Sequence, residues 1–307
     1  MKNLLAIFIT LILLVFLCAC GAESAASPAP NTTEGSKEVI IQTEAITEST
    51  EAAVAPVAFE EITVVDNEAC LIKITGIEPD DFWGYALKVY LENKSADKTF
   101  MYSVSTASIN NVMADPMFAT EVAPGKKINE TVSFMTAELE NHSIGDFTDI
   151  SLNFRVSDSE DWMADPVAVS NVHVYPYGEE KAVSYVREAQ STDTILVDND
   201  AVTVIATGYD PENMWGYTVN LFIVNKTDTT IMVSADEASV NGFMLDPFYA
   251  TSVDAGKCAF SDMSWFESDF EENGITDVEN IEFTLRVYNE EDWSDEDFAN
   301  ELITLTP

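Results

Sequence analysis

The sequence predicts an all-β protein made of two consecutive antiparallel β-sandwiches. The first observation is an internal repeat: "FWGYALKVYLENKS", which begins at Phe82, returns as "MWGYTVNLFIVNKT", which begins at Met214. The second is that apolar residues recur at every second position within each copy, a pattern typical of half-buried strands. The third is the regular spacing of turn residues between these short segments, which favours a sandwich.

The repeat covers most of the chain. Residues 75–94 align with 207–226 without a gap and are identical at eight of twenty positions. After a one-residue deletion, "ASINNVMADPMFATEVAPGK" aligns with "ASVNGFMLDPFYATSVDAGK". Equivalent positions therefore differ by 132 in the first part of the repeat and by 131 afterwards. This period exceeds the roughly 20–50 residues of solenoid repeats. Each copy is instead predicted to be a domain, spanning 61–176 and 195–307.

Two strands per repeat show the alternation most clearly. In the first copy, the alternating apolar residues are Tyr85, Leu87, Val89 and Leu91 in one strand and Ile150, Leu152, Phe154 and Val156 in the other. In the second copy, the equivalent residues are Tyr217, Val219, Leu221 and Ile223, and Ile281, Phe283, Leu285 and Val287. Alternation of this kind places one set of side chains in a core and the other outside.

Turn signals separate the predicted strands. The segments "NKS" and "NKT" mark turns in the two copies, and Asn110-Asn111 and Asn241-Gly242 predict two-residue hairpins because these residues tolerate positive φ. Pro124-Gly125 and Ala255-Gly256 predict further turns. Residues 137–141 and 268–273 lack alternation and predict one helical turn each. The polar linker 177–194 is predicted either to form a short helix around 179–190 or to be loose.

The N-terminus predicts export and lipid attachment. Lys2 precedes an apolar run from Leu4 to Phe16, a pattern typical of a signal peptide and too short to span a membrane as a helix. The following "LCACG" resembles the bacterial lipobox, which implies that residues 1–19 are removed and that Cys20 becomes the acylated N-terminus. The protein would then be lipid-anchored on the extracytoplasmic face of the cell membrane. An ordinary signal peptide with a secreted product is the alternative.

Residues 20–60 are predicted to be a flexible tether. The segment is rich in Ala, Ser, Thr, Glu and Pro, and its part from Gly21 to Ala58 has no aromatic residue. Such a composition buries too little apolar surface to offset the entropy lost on ordering. A tether of this length would hold the domains on the order of 35 Å from the membrane.

The charge excludes one class of partner. With 14 Lys and Arg against 54 Asp and Glu, the net charge is −40. No basic patch is present to neutralise phosphates, so a nucleic-acid partner is excluded. Cationic partners, divalent ions and simple solubility remain open.

Cysteine usage predicts no disulfide framework. Cys18 would leave with the signal peptide and Cys20 would carry lipid, so Cys70 and Cys258 remain, at positions that are not equivalent in the two repeats. Cys70 lies in an alternating strand and is predicted to be buried, whereas Cys258 is predicted to be exposed and free.

The motifs taken together resemble a known group. The "NK[ST]" turns, the "VNG" hairpin and its counterpart "INN", the following "DP", the "APGK" turn and the late "DW" are similar to the Ig-like β-sandwich domains of uncharacterised lipoproteins of Gram-positive bacteria. The resemblance implies an Ig-like sandwich and a cell-surface location. It implies no chemistry.

Two aromatic pairs are the candidate ligand-binding residues: Trp83 with Tyr85, and Trp215 with Tyr217. Exposed pairs of this kind would stack on a sugar face. The alternative is structural, with the tyrosines sharing the inward parity of their strands and the tryptophans filling one end of each sandwich.

Acidic loops are a weaker candidate. The segments "DSEDW" and "NEEDWSDEDF" gather carboxylates after a strand, but neither has the spacing or the glycine of a calcium-binding loop. A solvated loop, partly neutralised by Arg155 or Arg286, is the preferred interpretation. No metal site and no cofactor are predicted.

Signatures of catalysis are missing. His142 and His173 are the only histidines, and both lie in the first copy. No nucleophile elbow, zinc-protease, Cys-x-x-Cys or phosphate-loop motif occurs. The sequence therefore predicts a non-catalytic surface protein that presents two Ig-like domains for binding an extracellular protein or glycan or for a structural role in the envelope. The alternatives are a carbohydrate- or solute-binding lipoprotein and a hydrolase relying on carboxylates such as Asp161 and Asp292.

Overall fold

The computed structural model describes residues 58–161, 163–292 and 294–307. The first repeat folds into nine strands and one short helix. In chain order these are β1 (Ile62–Asp66), β2 (Cys70–Asp81), β3 (Gly84–Asn93), β4 (Phe100–Ile109), β5 (Val112–Met113), β6 (Ala119–Val122), β7 (Lys127–Phe134), α1 (Thr136–Asn141), β8 (Ile150–Asp158) and β9 (Ala168–Val174).

The second repeat has the same elements in the same order. They are β10 (Thr194–Asp198), β11 (Val202–Asp210), β12 (Tyr217–Asn225), β13 (Ile231–Val240), β14 (Phe243–Met244), β15 (Ala250–Val253), β16 (Cys258–Trp265), α2 (Glu267–Asn273), β17 (Ile281–Asn289) and β18 (Ala299–Leu305). The helices begin one residue earlier than the sequence predicts.

Each repeat is an antiparallel sandwich, so the predicted all-β, Ig-like fold class is confirmed. In the first repeat, the sheet β1-β2-β3-β7 faces the strands β4, β8 and β9, with β6 also paired to β4. In the second, β10-β11-β12-β16 faces β14-β13-β17-β18, with β15 paired to β13. Two clusters of buried apolar side chains fill the space between the facing sheets.

The predicted alternation is confirmed by burial. Leu87, Val89 and Leu91 point into the first core, and the series that begins at Ile150 and the one that begins at Ile281 are also buried. The two hairpins are confirmed as well: Asn110 and Asn111 have φ of 50° and 77°, and Asn241 and Gly242 have φ of 51° and 82°.

The "NK[ST]" motif has a structural explanation. The amide group of Asn93 donates hydrogen bonds to the carbonyls of Lys98 and Val122, both at 2.7 Å. Its oxygen accepts from the Ser95 backbone N–H at 2.9 Å. Asn225 is also fully buried and makes the corresponding bonds in the second repeat. This side chain thus ties the loop after one strand to the opposite sheet.

The two repeats are joined by a continuous sheet. The short strand β5 of the first repeat pairs in parallel with β16 of the second, at Val112 and Cys258. The Cys258 backbone N–H donates to the carbonyl of Asn111 at 3.0 Å, and the Asn111 amide donates to the carbonyl of Gly256 at 2.8 Å. Nine strands from both repeats therefore belong to one sheet.

Cys258 lies at this junction and is buried, with an exposed fraction of 4%, whereas the sequence predicts an exposed thiol. Its thiol lies under the hairpin of the first repeat and contacts the Asn111 carbonyl at 3.4 Å. Burial raises its pKa to about 11. Cys70 is buried as predicted, and burial also raises its pKa. The prediction for Cys258 was wrong because the surface that covers it comes from residues 147 positions away.

Thiol labelling tests this assignment. In a chain that begins at residue 20 and carries Cys20→Ser, we expect neither Cys70 nor Cys258 to react with a disulfide reagent at mildly alkaline pH, because thiolate formation and access are both suppressed. Both should react in concentrated guanidinium chloride. Rapid stoichiometric labelling of Cys258 in the native protein would contradict the buried junction.

The linker between the repeats is ordered by contacts rather than by a helix. Only Glu179–Lys181 form a turn of 3₁₀-helix, so the predicted helix around 179–190 is wrong. Residues 182–190 have no regular secondary structure, but the linker contacts the first repeat. The backbone N–H of Tyr185 donates to the carbonyl of Asn110 at 2.7 Å, and Arg187 forms two bonds of 2.7 Å with Asp193.

An aromatic cluster packs at the junction. The ring of His142 stacks on Phe260 with centroids 3.6 Å apart and planes within 6°. Tyr185 contacts both Phe260 and Phe222, at 5.9 and 6.4 Å between centroids. The Tyr185 hydroxyl donates to the carbonyl of His142 at 2.9 Å. His142 therefore has a structural contact across the two repeats.

Two residues of this cluster, His142 and Phe260, lie at positions where the two copies diverge. Phe222 and Phe260 correspond to Tyr90 and Asn129 in the first repeat, and His142 corresponds to Asn273 in the second. His142 and Phe260 therefore occur only in the copy where they contact the other repeat, whereas Phe222 corresponds to another aromatic residue. The junction thus explains why one histidine is not duplicated.

The N-terminal predictions concern residues outside the described ranges. These include the signal peptide, Cys20 and most of the 20–60 tether. Within the described residues, no helix has the length and apolar character needed to cross a bilayer.

Candidate functional site

Both candidate tryptophans lie on the surface. Trp83 is 59% exposed and Trp215 is 60% exposed, so the expectation that they fill one end of each sandwich is wrong. Each stands in the tight turn that joins the second and third strands of its repeat. Asp81 and Asn213 hold these turns, since their side chains accept the backbone N–H of the tryptophans, both at 3.1 Å.

Glycines allow the tryptophan turns to lie against a neighbouring strand. Gly84 and Gly216 have φ of 120° and 106°, a region that favours glycine. A Cβ atom added to Gly84 would stand 2.3 Å from the carbonyl oxygen of Phe134. One added to Gly216 would stand 2.1 Å from that of Trp265. The close approach brings each tryptophan turn beside the end of β7 or β16.

This approach gathers exposed apolar side chains in the first repeat. We define apolar cluster 1 as Phe82, Trp83, Met117 and Met135. The rings of Phe82 and Trp83 meet edge to face, 4.9 Å between centroids. Met135 follows the β7 residue that Gly84 approaches, and Met117 pairs with Ser133 on the other edge of the same strand.

The second repeat has the same arrangement. We define apolar cluster 2 as Met214, Trp215, Phe248 and Phe266. The Cβ position of Gly216 lies 3.1 Å from Cα of Phe266, and Phe248 pairs with Ser264. The rings of Phe248 and Phe266 lie 6.3 Å apart. Phe266 therefore stands between the tryptophan turn and Phe248.

The two clusters correspond position by position. Phe82, Trp83, Met117 and Met135 align with Met214, Trp215, Phe248 and Phe266. Every member is apolar, and even the least exposed, Met117, is 44% exposed. Single exposed apolar residues are ordinary on protein surfaces, whereas contiguous apolar groups indicate an interaction site. Their recurrence at four equivalent positions makes a chance origin improbable.

The tyrosines of the predicted pairs turn inward. Tyr85 packs on Phe147 with centroids 4.5 Å apart, and burial raises its pKa far above the ordinary value. Tyr217 lies 6.0 Å from Phe270, and burial raises its pKa to about 12. The inward parity predicted for the tyrosines is confirmed. Each predicted Trp–Tyr pair is thus split between surface and core.

The segments that form the clusters also carry exposed acidic residues. Asp80 and Asp115 are exposed in the segments that form cluster 1. Glu212, Asp246 and Glu267 are exposed in those that form cluster 2. Neither Lys nor Arg occurs in residues 77–87, 111–121, 133–141, 209–219, 242–252 or 264–272. In the described part of the chain, none of the five carboxylates forms an ion pair.

The acidic loops after β8 and β17 are partly paired. Lys98 binds Asp158 at 2.7 Å, and Arg286 binds Asp297 with bonds of 2.9 and 3.0 Å. The hydrogen bonds from these cations lower the pKa of both carboxyl groups. Trp162 and Trp293 lie outside the described residues. Within the described ranges no group of three or more His, Cys, Asp or Glu has metal-binding geometry.

A groove of about 580 Å³ flanks the junction between the repeats. It is lined on one side by His142 and Tyr185, whose rings already contact the second repeat. Two further lining residues, Asn220 and Asp262, bond each other at 2.9 Å. This last pair lies within the second repeat, between β12 and β16.

Sequence reasoning identified one of the four positions in each cluster. Trp83 and Trp215 were found because they belong to the repeated "WGY" motif. The pairs Phe82/Met214, Met117/Phe248 and Met135/Phe266 were missed, although the alignment shows an apolar residue at all three positions in both copies. Apolar identity shared by equivalent loop positions would have been the available signal.

Substitution of the turn glycines tests the geometry of the clusters. We expect Gly84→Ala and Gly216→Ala each to destabilise the protein by about 2–3 kcal/mol, because the new Cβ meets a backbone carbonyl and φ is unfavourable. Urea unfolding followed by circular dichroism measures the loss. Gly125→Ala is the matched control: its φ is 65°, but no atom lies within 4 Å of the added Cβ. An equal decrease in the free energy of unfolding in all three variants would show that the close contact of Gly84 and Gly216 with the neighbouring carbonyls does not matter for stability.

The comparisons with known proteins place this chain in no family. No protein-family model matches the sequence, and no curated protein matches it. Among solved structures, a chain of the CsuC–CsuE chaperone–tip adhesion subunit pre-assembly complex from the Csu pili of Acinetobacter baumannii is 11% identical, with 71% of this chain and 90% of that chain covered and a TM-score of 0.21.

A protein of unknown function from Porphyromonas gingivalis W83 is also similar. It is 13% identical, the match covers 80% of this chain and 97% of that chain, and the TM-score is 0.20. At these TM-scores neither similarity supports a conclusion about this chain.

Proposed function

We propose that this chain is a non-catalytic, lipid-anchored protein of the extracytoplasmic membrane face, which binds an extracellular protein through apolar clusters 1 and 2. The observation that carries the proposal is the repetition of four exposed apolar side chains at equivalent positions of both repeats. Exposed Trp, Phe and Met side chains are typical anchors of protein interfaces. Two clusters in one chain would allow bivalent attachment.

The preparation for the binding test is the mature chain, residues 20–307 with Cys20→Ser. The test variant is Trp83→Ser/Trp215→Ser. The control, Val169→Ser/Leu302→Ser, removes exposed apolar side chains from β9 and β18 instead. Both variants should fold normally, because the altered side chains are mostly exposed.

We expect the parent chain and the control to capture the same surface protein from intact cells and the cluster variant to lose it. Retention by the cluster variant would refute binding through the clusters.

Membrane attachment is proposed on the resemblance of residues 17–21 to the lipobox. Two glyceride chains and an N-acyl group on Cys20 would give stable anchoring, since each buried CH₂ contributes about 0.8 kcal/mol. Cells expressing the full chain and fed labelled palmitate should incorporate label. Cys20→Ala should abolish incorporation, whereas Cys18→Ala should not. Label on the Cys20→Ala variant would overturn the proposed anchor.

Carbohydrate binding is the second candidate, and the exposure of Trp83 and Trp215 favours it. An exposed indole can stack on a sugar ring. Against it, Tyr85 and Tyr217 point inward and Phe82 meets Trp83 edge to face, so no flat two-ring platform forms. A glycan array probed with the parent chain and the Trp83→Ser/Trp215→Ser variant decides between the candidates. A signal that depends on the tryptophans would favour the sugar.

A further inference from the structure

The chemistry around the apolar clusters narrows the class of partner. An apolar surface alone would suit any hydrophobic ligand, including a membrane. Here the segments that form the surface also carry exposed carboxylates, Asp80 and Asp115 at cluster 1 and Glu212, Asp246 and Glu267 at cluster 2. Basic residues are missing from all six segments that form the clusters.

The net charge of −40 means that the electrostatic field of the whole chain is negative, as it is at the clusters. Such a field repels anionic partners and attracts cationic ones, and it acts chiefly on encounter and specificity. We call the exposed carboxylates of each cluster its acidic rim. A partner that placed its own carboxylates against these rims would leave like charges facing one another. Anionic lipid surfaces are disfavoured for the same reason.

We propose that apolar clusters 1 and 2 are two equivalent docking sites for a cationic amphipathic segment of a protein or peptide, whose apolar side chains contact the clusters and whose Lys or Arg side chains meet the acidic rims. This inference rests on the proposed function and names its partner class. The equivalence of the clusters gives two sites per chain. Their shared chemistry gives both sites the same ligand class.

Synthetic peptides provide the probes. The first is a helical peptide of Leu and Lys with its Leu residues on one face. The second replaces every Lys by Glu, and the third replaces every Leu by Ser. Titration calorimetry with the mature Cys20→Ser chain measures affinity and stoichiometry.

We expect the Leu/Lys peptide to bind at two sites per chain and at least about tenfold more tightly than either control peptide, because both apolar contact and opposite charge are required.

Variants of the protein separate the two contributions. Trp83→Ser should remove one of the two sites and leave the other. A variant without four of the rim carboxylates should bind the Leu/Lys peptide about tenfold more weakly, and its affinity should depend less on salt. This variant is Asp80→Asn/Asp115→Asn/Glu212→Gln/Asp246→Asn. The matched control is Glu68→Gln/Asp97→Asn/Asp200→Asn/Asp228→Asn, which removes four exposed carboxylates from loops at the opposite ends of β3 and β12. This control should change the affinity little.

Several outcomes would overturn the partner class. Equal affinity for the Leu/Glu peptide would show that charge plays no part. Unchanged binding by the Trp83→Ser/Trp215→Ser variant would show that the peptide binds elsewhere on the acidic surface. Tighter binding to zwitterionic phosphatidylcholine vesicles than to the Leu/Lys peptide would identify a membrane as the partner.

These failures are distinguishable from failure of the proposed function. If a surface protein is still captured in a tryptophan-dependent manner while the peptides show no charge preference, only the cationic class is wrong. If capture survives loss of both tryptophans, the clusters are not the binding surface and both proposals fail.

Discussion

Replacement of Trp265 by alanine is expected to lower the free energy of unfolding by about 3–5 kcal/mol. Trp265 is fully buried in the core of the second repeat, at the end of β16 that supports apolar cluster 2. Its indole N–H donates to the carbonyl of Leu245 at 2.9 Å. The substitution leaves a large cavity and removes the partner of this carbonyl, and both effects destabilise the folded state.

The matched control is Trp265→Phe, which installs the residue that the first repeat carries at the equivalent position, Phe134. Since most of the ring volume stays, we expect a loss of only about 1–2 kcal/mol. Urea unfolding followed by circular dichroism measures both variants. A loss below about 1 kcal/mol for the alanine variant would show that the second core does not depend on this side chain.

The second large effect is expected at the buried asparagines. Asn225→Ala should lower the free energy of unfolding by about 3 kcal/mol or more, because it removes three hydrogen bonds of a buried side chain. The Asn225 amide donates to the carbonyls of Thr229 and Val253, both at 2.8 Å, and its oxygen accepts from the N–H of Thr227 at 2.9 Å. Asn93→Ala should have a similar effect in the first repeat. Water cannot replace these bonds without opening the loop.

Lys226→Ala, at the next position, is the control for this experiment. Lys226 forms an ion pair of 2.9 Å with Asp198, but both side chains are accessible to solvent. Exposed pairs of this kind contribute about 0–1 kcal/mol. Chemical denaturation of the three variants should therefore separate Asn225→Ala and Asn93→Ala from Lys226→Ala by at least about 2 kcal/mol. Comparable losses would mean that the "NK[ST]" motif acts through its lysine.

The strand pattern and the turns were predictable because they depend on short-range chemistry. Alternation from Tyr85 to Leu91 sets which side chains can face a core, and it was confirmed. Asn110 and Asn241 adopt positive φ because few other residues do so at low cost. Such preferences operate within a few residues, so the chain order alone reveals them.

The candidate site was predictable only in part. The repeated "WGY" motif identified the tryptophans, but not whether they lie inside or outside. That depends on which other segments lie beside them. Met135 and Phe266, which directly follow β7 and β16, are about 50 residues away in the chain. The junction was also hidden, since Cys258 is covered by a hairpin from the other repeat.

The duplication, the all-β class and the hairpins of this protein were determined by its sequence alone, because periodicity and backbone preference are local properties. Only the tertiary structure decided that Trp83 and Trp215 face solvent, that four exposed apolar residues lie on adjoining segments in each repeat, and that β5 joins β16. Burial and exposure are properties of surfaces, and these surfaces form only when chain-distant segments come together.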